Sequence, residues 1–125
     1  MKFRTEIEIA PWSNPITYKH NIVCLGSCFA SAIAERLENY KFKVTTSPTG
    51  ILFNPESIAL AVELMMSSYR IKHEDIIERD GGYYSYLFHS SISGSSREEA
   101  IANMQRAIDD GAEKLRHADT LIITL

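Results

Sequence analysis

"NIVCLGSCFASAIAERLENY", residues 21–40, is the stretch whose reading decides the fold. Ile22, Val23, Cys24 and Leu25 form an unbroken apolar run, the pattern of a strand buried on both faces. Gly26, Ser27 and Cys28 make a small-residue turn. From about Phe29 to Tyr40 the apolar positions Ile33, Leu37 and Tyr40 recur at helical spacing, with Glu35, Arg36 and Glu38 on the polar side. A strand that turns straight into a helix sets Ser27 and Cys28 at a helix N-terminus. Backbone N–H groups are unpaired there and the macrodipole is positive. Such a position favours a nucleophile or a bound anion. It equally suits a plain helix cap. The stretch alone leaves both readings open.

Working outward, the chain alternates strands and helices. An extended lead-in, Phe3 to Ala10 and then Pro11 to Pro15, precedes the first strand. "KFKVTTS" is a second strand, carrying β-branched Val44, Thr45 and Thr46, and "PTGILFNP" is a loop. Asn54 followed by Pro55 starts a helix, since Asn caps and Pro suits the first helical position. That helix continues through "ESIALAVELMMSSY". A hairpin is expected around Asp80-Gly81, with Tyr83, Tyr84, Tyr86 and Phe88 alternating along its second strand. A long helix follows, opened by a capping box from Ser96 to Glu99. "TLIITL", residues 120–125, is a last apolar strand. The order predicts an α/β layered domain in which strands 21–25, 43–47 and 120–125 are parallel and the first is central. Ligands of such sheets sit at the carboxyl ends of the strands, where Gly26-Ser27-Cys28 and Pro48-Thr49-Gly50 both fall. A buried strand that is followed by no further residue predicts an N-terminal fragment of a longer domain.

Composition narrows the function. The 125 residues are 45% hydrophobic and 23% charged, the balance of an ordinary globular domain. A net charge of −3 with scattered Lys and Arg argues against nucleic-acid binding. No apolar run approaches the roughly 18 residues that span a membrane, and no secretory signal opens the chain. Cys24 and Cys28 lie on opposite sides of the turn, which disfavours a disulfide and suits a cytoplasmic protein. Two thiols without a second ligand pair imply no metal, and no cofactor motif is present.

"GSCFA" at 26–30 after an apolar strand resembles the signature of the GSCFA domain family. The resemblance continues through "GILFNP" at 50–55, the aromatic-then-"HS" stretch at 83–90 and "ADTLIITL" at 118–125. It covers essentially the whole chain, so residues 1–125 read as one domain. The family is similar to the SGNH (GDSL-like) hydrolases. The resemblance therefore implies a three-layer, flavodoxin-like fold with a parallel central sheet and a β-hairpin excursion, incomplete at the C-terminus. It implies an ester hydrolase or acyltransferase acting on a small-molecule or carbohydrate O-acyl ester, such as an O-acetyl ester.

On that resemblance Ser27 is the nucleophile and its N–H an oxyanion donor, with Gly50 supplying a second donor. The third donor and the Asp-x-x-His pair that activates the serine are expected beyond Leu125. The superfamily's aspartate after the glycine is absent here, because Ser27 follows Gly26 directly. Gly26, Cys28, Asn54 and His89 are binding candidates. Asn54 is also read as a helix cap, and Cys28 as a packed side chain. The alternative is a non-catalytic module that binds an anion, a nucleotide or a partner.

Overall fold

The computed structural model describes residues 3–125. The chain runs through β1 (Asn21–Gly26), α1 (Cys28–Asn39), β2 (Lys43–Thr46) and α2 (Pro55–Met66). A single 3-10 turn at His73–Asp75 leads to a hairpin, β3 (Ile77–Arg79) and β4 (Gly82–Tyr84). The chain then forms α3 (Arg97–Arg116) and β5 (Thr120–Thr124). The main sheet has the order β2-β1-β5. Both pairings are parallel, with Ile22 opposite Val44 and Thr120, and Gly26 opposite Thr124. The expected parallel sheet with a central first strand is therefore present.

Side-chain alternation along β1 builds two of the three cores. Ile22 and Cys24 face α1, where they pack with Ala30 and Ala34. Val23 and Leu25 face the other way, against Ile58, Ala61 and Met65 of α2 and Ala112 of α3. A strand covered on both faces has no use for polar residues, which explains its uninterrupted apolar run. A third cluster ties the hairpin region to α3 through Ile71, Ile76, Phe88, Met104 and Ile108.

Several boundaries differ from expectation. Cys28 is already the first residue of α1. Helix α2 stops at Met66 rather than continuing through Tyr69. Ser68 takes a left-handed φ of 52°, and Tyr69 N–H closes on the Leu64 carbonyl. The hairpin turns at Asp80-Gly81 with φ of 50° and 77°, the primed geometry that matches strand twist. Its second strand ends at Tyr84. Ser85 Oγ accepts the Leu87 N–H at 3.2 Å, a local turn that sends Tyr86 to solvent and Phe88 into the α3 cluster. The capping box of α3 is only half formed. Ser96 Oγ accepts the Glu99 N–H at 3.2 Å, but the Glu99 carboxylate takes the N–H and hydroxyl of Ser95.

Candidate functional site

Gly26 shapes the turn out of β1. Its φ is +126°, and a Cβ there would lie 1.8 Å from the Thr124 carbonyl oxygen. No other residue lets β1 and β5 approach this closely at their carboxyl ends. The turn then delivers Ser27 onto Thr124 twice. Ser27 N–H donates to the Thr124 carbonyl at 3.2 Å, and Ser27 Oγ lies 2.9 Å from Thr124 Oγ1. Ser27 occupies the N-cap position of α1, yet its side chain makes no capping hydrogen bond. Ser27 as a whole is 6% exposed, and its hydroxyl is held against β5 instead. A plain helix cap does not describe it.

The loop between β2 and α2 is stitched across the end of β1. Ser47 N–H donates to the Cys24 carbonyl at 2.7 Å, and Leu52 N–H to the Gly26 carbonyl at 2.8 Å. Between them sits Gly50 with φ +87°, where a Cβ would fall 2.4 Å from the His89 Cβ. The neighbouring Thr49 carbonyl accepts the His89 N–H at 3.2 Å. The fold thus brings Gly26, Ser27 and Gly50 together at the carboxyl edge of the sheet, with His89 packed on Gly50. Thr49 is fully buried, and its Oγ1 has no hydrogen-bond partner among the described residues.

The oxyanion arrangement differs from expectation. The Ser27 N–H is taken by Thr124 and the Gly50 N–H by the Ser47 carbonyl, at 3.2 and 2.8 Å, so the two do not converge on one open space. The first-turn amides of Cys28 and Phe29 have no carbonyl behind them in the helix. Neither meets an acceptor among the described residues. They mark the positive end of α1.

Asn54 stays with α2. Its Oδ1 accepts the Ser57 N–H at 2.8 Å and its Nδ2 donates to Ser57 Oγ at 2.9 Å, so both ends of the carboxamide serve the cap. His89 Nδ1 accepts the Ser91 N–H at 3.2 Å. Ser91 Oγ lies 2.9 Å from the same ring nitrogen, so Nδ1 is engaged by Ser91 and not by Ser27. Cys24 and Cys28 are both free thiols; Cys24 is buried, whereas Cys28, expected as a packed side chain, is exposed at the first position of α1. Burial, and secondarily the Glu38 charge, pushes the Cys24 thiol above its ordinary pKa. No metal-holding group of three or more His, Cys, Asp or Glu occurs among the described residues.

Thr124 and Thr49 were missed in the sequence. Thr124 had one available signal: it is the polar residue at the carboxyl end of an apolar strand, the end where ligands of parallel sheets gather.

From β1 the chain leaves through α1 to β2 on one side, and it returns through α3 to β5 on the other. Ser27 sits where those connections diverge, the switch point at which α/β sheets bind their ligands. The class is an α/β domain with its candidate site at that point. The chain belongs to the GSCFA family, whose model matches residues 21–125. No curated protein and no solved structure matches it significantly. No helix among the described residues is long and apolar enough to cross a membrane.

Proposed function

We propose that the protein is an SGNH-like serine hydrolase or acyltransferase that works on O-acyl esters through Ser27. The observation that carries this reading is a serine at a helix N-cap whose hydroxyl does not cap. The hydroxyl is held instead by Thr124 at the carboxyl end of β5, the strand beside the central β1. In the reaction Ser27 Oγ attacks the acyl carbon, and the bond to the alcohol oxygen breaks. The alcohol leaves with a proton, and water or a second alcohol then takes the acyl group from the serine. The Cys28 and Phe29 amides are the donors for the tetrahedral oxyanion, with Gly26 and Gly50 keeping the approach free of side chains. A serine hydroxyl needs a base. Ser27 Oγ has only Thr124 as its partner among the described residues, so the base is a further group recruited to this edge.

We rest a carbohydrate alcohol on the hairpin's cavity of about 440 Å³, lined by Arg79, Asp80, Tyr84, Tyr86 and Ser90, the last of them next in the chain to His89. Aromatic faces beside charged and hydroxyl groups suit a sugar ring. The two free thiols fit a cytoplasmic protein.

The test compares the native protein with Ser27→Ala and Cys28→Ser. It measures turnover of a small acetyl ester and labelling by a serine-reactive phosphonate. Ser27→Ala is expected to abolish both, and Cys28→Ser to leave both largely intact. The reverse pattern would make the thiol the nucleophile. If neither change matters, the free amides of Cys28 and Phe29 favour the second reading, a non-catalytic anion-binding module.

A further inference from the structure

The backbone at Ser27 is set for a helix cap that its side chain does not make. Ser27 has φ −70° and ψ 177°, the extended conformation of an N-cap residue, and its carbonyl already accepts the Ala30 N–H at 2.9 Å. From there a serine Oγ ordinarily turns back to accept the second or third amide of the helix, here Phe29 or Ala30. The caps of the other two α-helices do so. Asn54 Oδ1 accepts the Ser57 N–H at 2.8 Å at the start of α2, and Ser96 Oγ the Glu99 N–H at 3.2 Å at the start of α3. Among the described α-helices, only α1 has a capping side chain that faces elsewhere.

Thr124 supplies the reason. Its carbonyl takes the Ser27 N–H at 3.2 Å and its Oγ1 lies 2.9 Å from Ser27 Oγ, so one residue engages both backbone and side chain. Its place is fixed by the β1–β5 pairing, where Gly26 stands opposite Thr124 and lets the two strands close up. A β-branched side chain on a paired strand has few χ1 choices, which makes its hydroxyl a stiff anchor. The contact holds Ser27 Oγ at the carboxyl edge of the sheet. A capping Ser27 would instead turn Oγ back against the first turn of α1, where the Cys28 and Phe29 amides lie.

We propose that Thr124 is a positioning residue: its hydroxyl withholds Ser27 from capping α1 and keeps Oγ in the orientation from which it attacks the acyl carbon. This inference rests on the nucleophile reading of Ser27 and adds what keeps that nucleophile poised. Thr124 acts as the donor. A hydroxyl has one proton and two acceptor sites, so Ser27 Oγ can accept from Thr124 while keeping its own proton for the base. The two orientations of Ser27 compete. With the Thr124 hydroxyl present Ser27 faces β5; without it, the unfilled cap is the hydrogen bond left to take. Loss of the Thr124 hydroxyl therefore costs reactivity and not stability, the reverse of what a merely structural contact would cost.

The experiment compares the native protein with Thr124→Val, Thr124→Ser, Ser27→Ala and the Ser27→Ala/Thr124→Val double variant. It measures the labelling rate of a serine-reactive phosphonate, kcat and KM for a small acetyl ester, and the thermal midpoint. Thr124→Val keeps the side-chain shape and removes the hydroxyl. It is expected to slow labelling and kcat by roughly 100-fold, the scale of a misplaced reacting group, with KM and the midpoint unchanged. Thr124→Ser is expected to restore labelling and kcat. Adding Ser27→Ala to Thr124→Val is expected to lower the midpoint, because Ser27 then caps α1. Wild-type rates in Thr124→Val, with Ser27→Ala inactive, would overturn the proposal and leave the nucleophile standing. Rates unchanged by Ser27→Ala would overturn both. A midpoint indifferent to Ser27→Ala in the Thr124→Val background would show that Ser27 does not turn to the cap, and would also overturn it. So would slow labelling in Thr124→Val that comes with a lowered midpoint and is not restored by Thr124→Ser.

Discussion

Ser27 shows how little of a site's chemistry is local. Its place at a strand-to-helix turn is legible from five neighbouring residues. What its hydroxyl does is set by Thr124, 97 residues away along the chain. Asn54 is the opposite case: its cap partner Ser57 lies three residues on, and the sequence shows the cap directly. Gly26 belongs with Ser27, because its glycine requirement comes from the Thr124 carbonyl and not from the turn alone. Gly26→Ala is expected to cost at least about 3 kcal/mol, combining a strained positive φ with a backbone overlap that no rotamer relieves. Urea unfolding of the variant checks this, and a loss below about 1 kcal/mol would mean that the β1–β5 approach is looser than described.

At the scale of elements, the types of strand and helix were legible because each carries its own periodicity. The end of α1 was legible to within a residue, Tyr40 being its C-cap, but the end of α2 was not. Each helix closes in a Schellman-type turn, Phe42 N–H on the Leu37 carbonyl and Tyr69 N–H on the Leu64 carbonyl. The left-handed residue in each turn is not the usual glycine. Lys41 has φ 69° and Ser68 has φ 52°. A side chain in that region is strained by roughly 1–2 kcal/mol, while glycine gives back part of the gain as unfolded-state entropy. Lys41→Gly and Ser68→Gly are each expected to raise stability by about 0.5–1 kcal/mol, additively because the sites are separate. Thermal or urea midpoints of the single and double variants decide it. The aromatic run after β4 misled for a related reason: alternation from Tyr84 to Phe88 looks like a strand until Ser85 turns the chain with its own hydroxyl.

For the whole molecule, β1 is the element on which everything else is built. It is hydrogen-bonded on both edges, covered on both faces, and almost wholly buried from Ile22 to Leu25. Opening it requires breaking both pairings and both cores at once. Native-state hydrogen exchange is expected to find the slowest amides in Ile22–Leu25. The hairpin β3–β4, with three residues in each strand and held beyond them by one bridge from Tyr83 to Gly94, is expected to exchange by local opening. Equal protection of hairpin and β1 would show that the molecule opens only as one unit.

By itself the sequence determined the class of fold, the parallel β2-β1-β5 arrangement and the position of the candidate site at the end of β1. Those follow from local information: a doubly apolar strand needs helices on both faces, and right-handed crossovers leave few orders. Tertiary structure alone decided what each polar group at that edge is paired with. It joined Ser27 to Thr124, turned the Gly50 amide to Ser47, left the Cys28 and Phe29 amides without an acceptor among the described residues, and set His89 against Gly50. Periodicity records which face a residue presents. A hydrogen bond between distant segments depends on register and distance, and these exist only once the strands have paired.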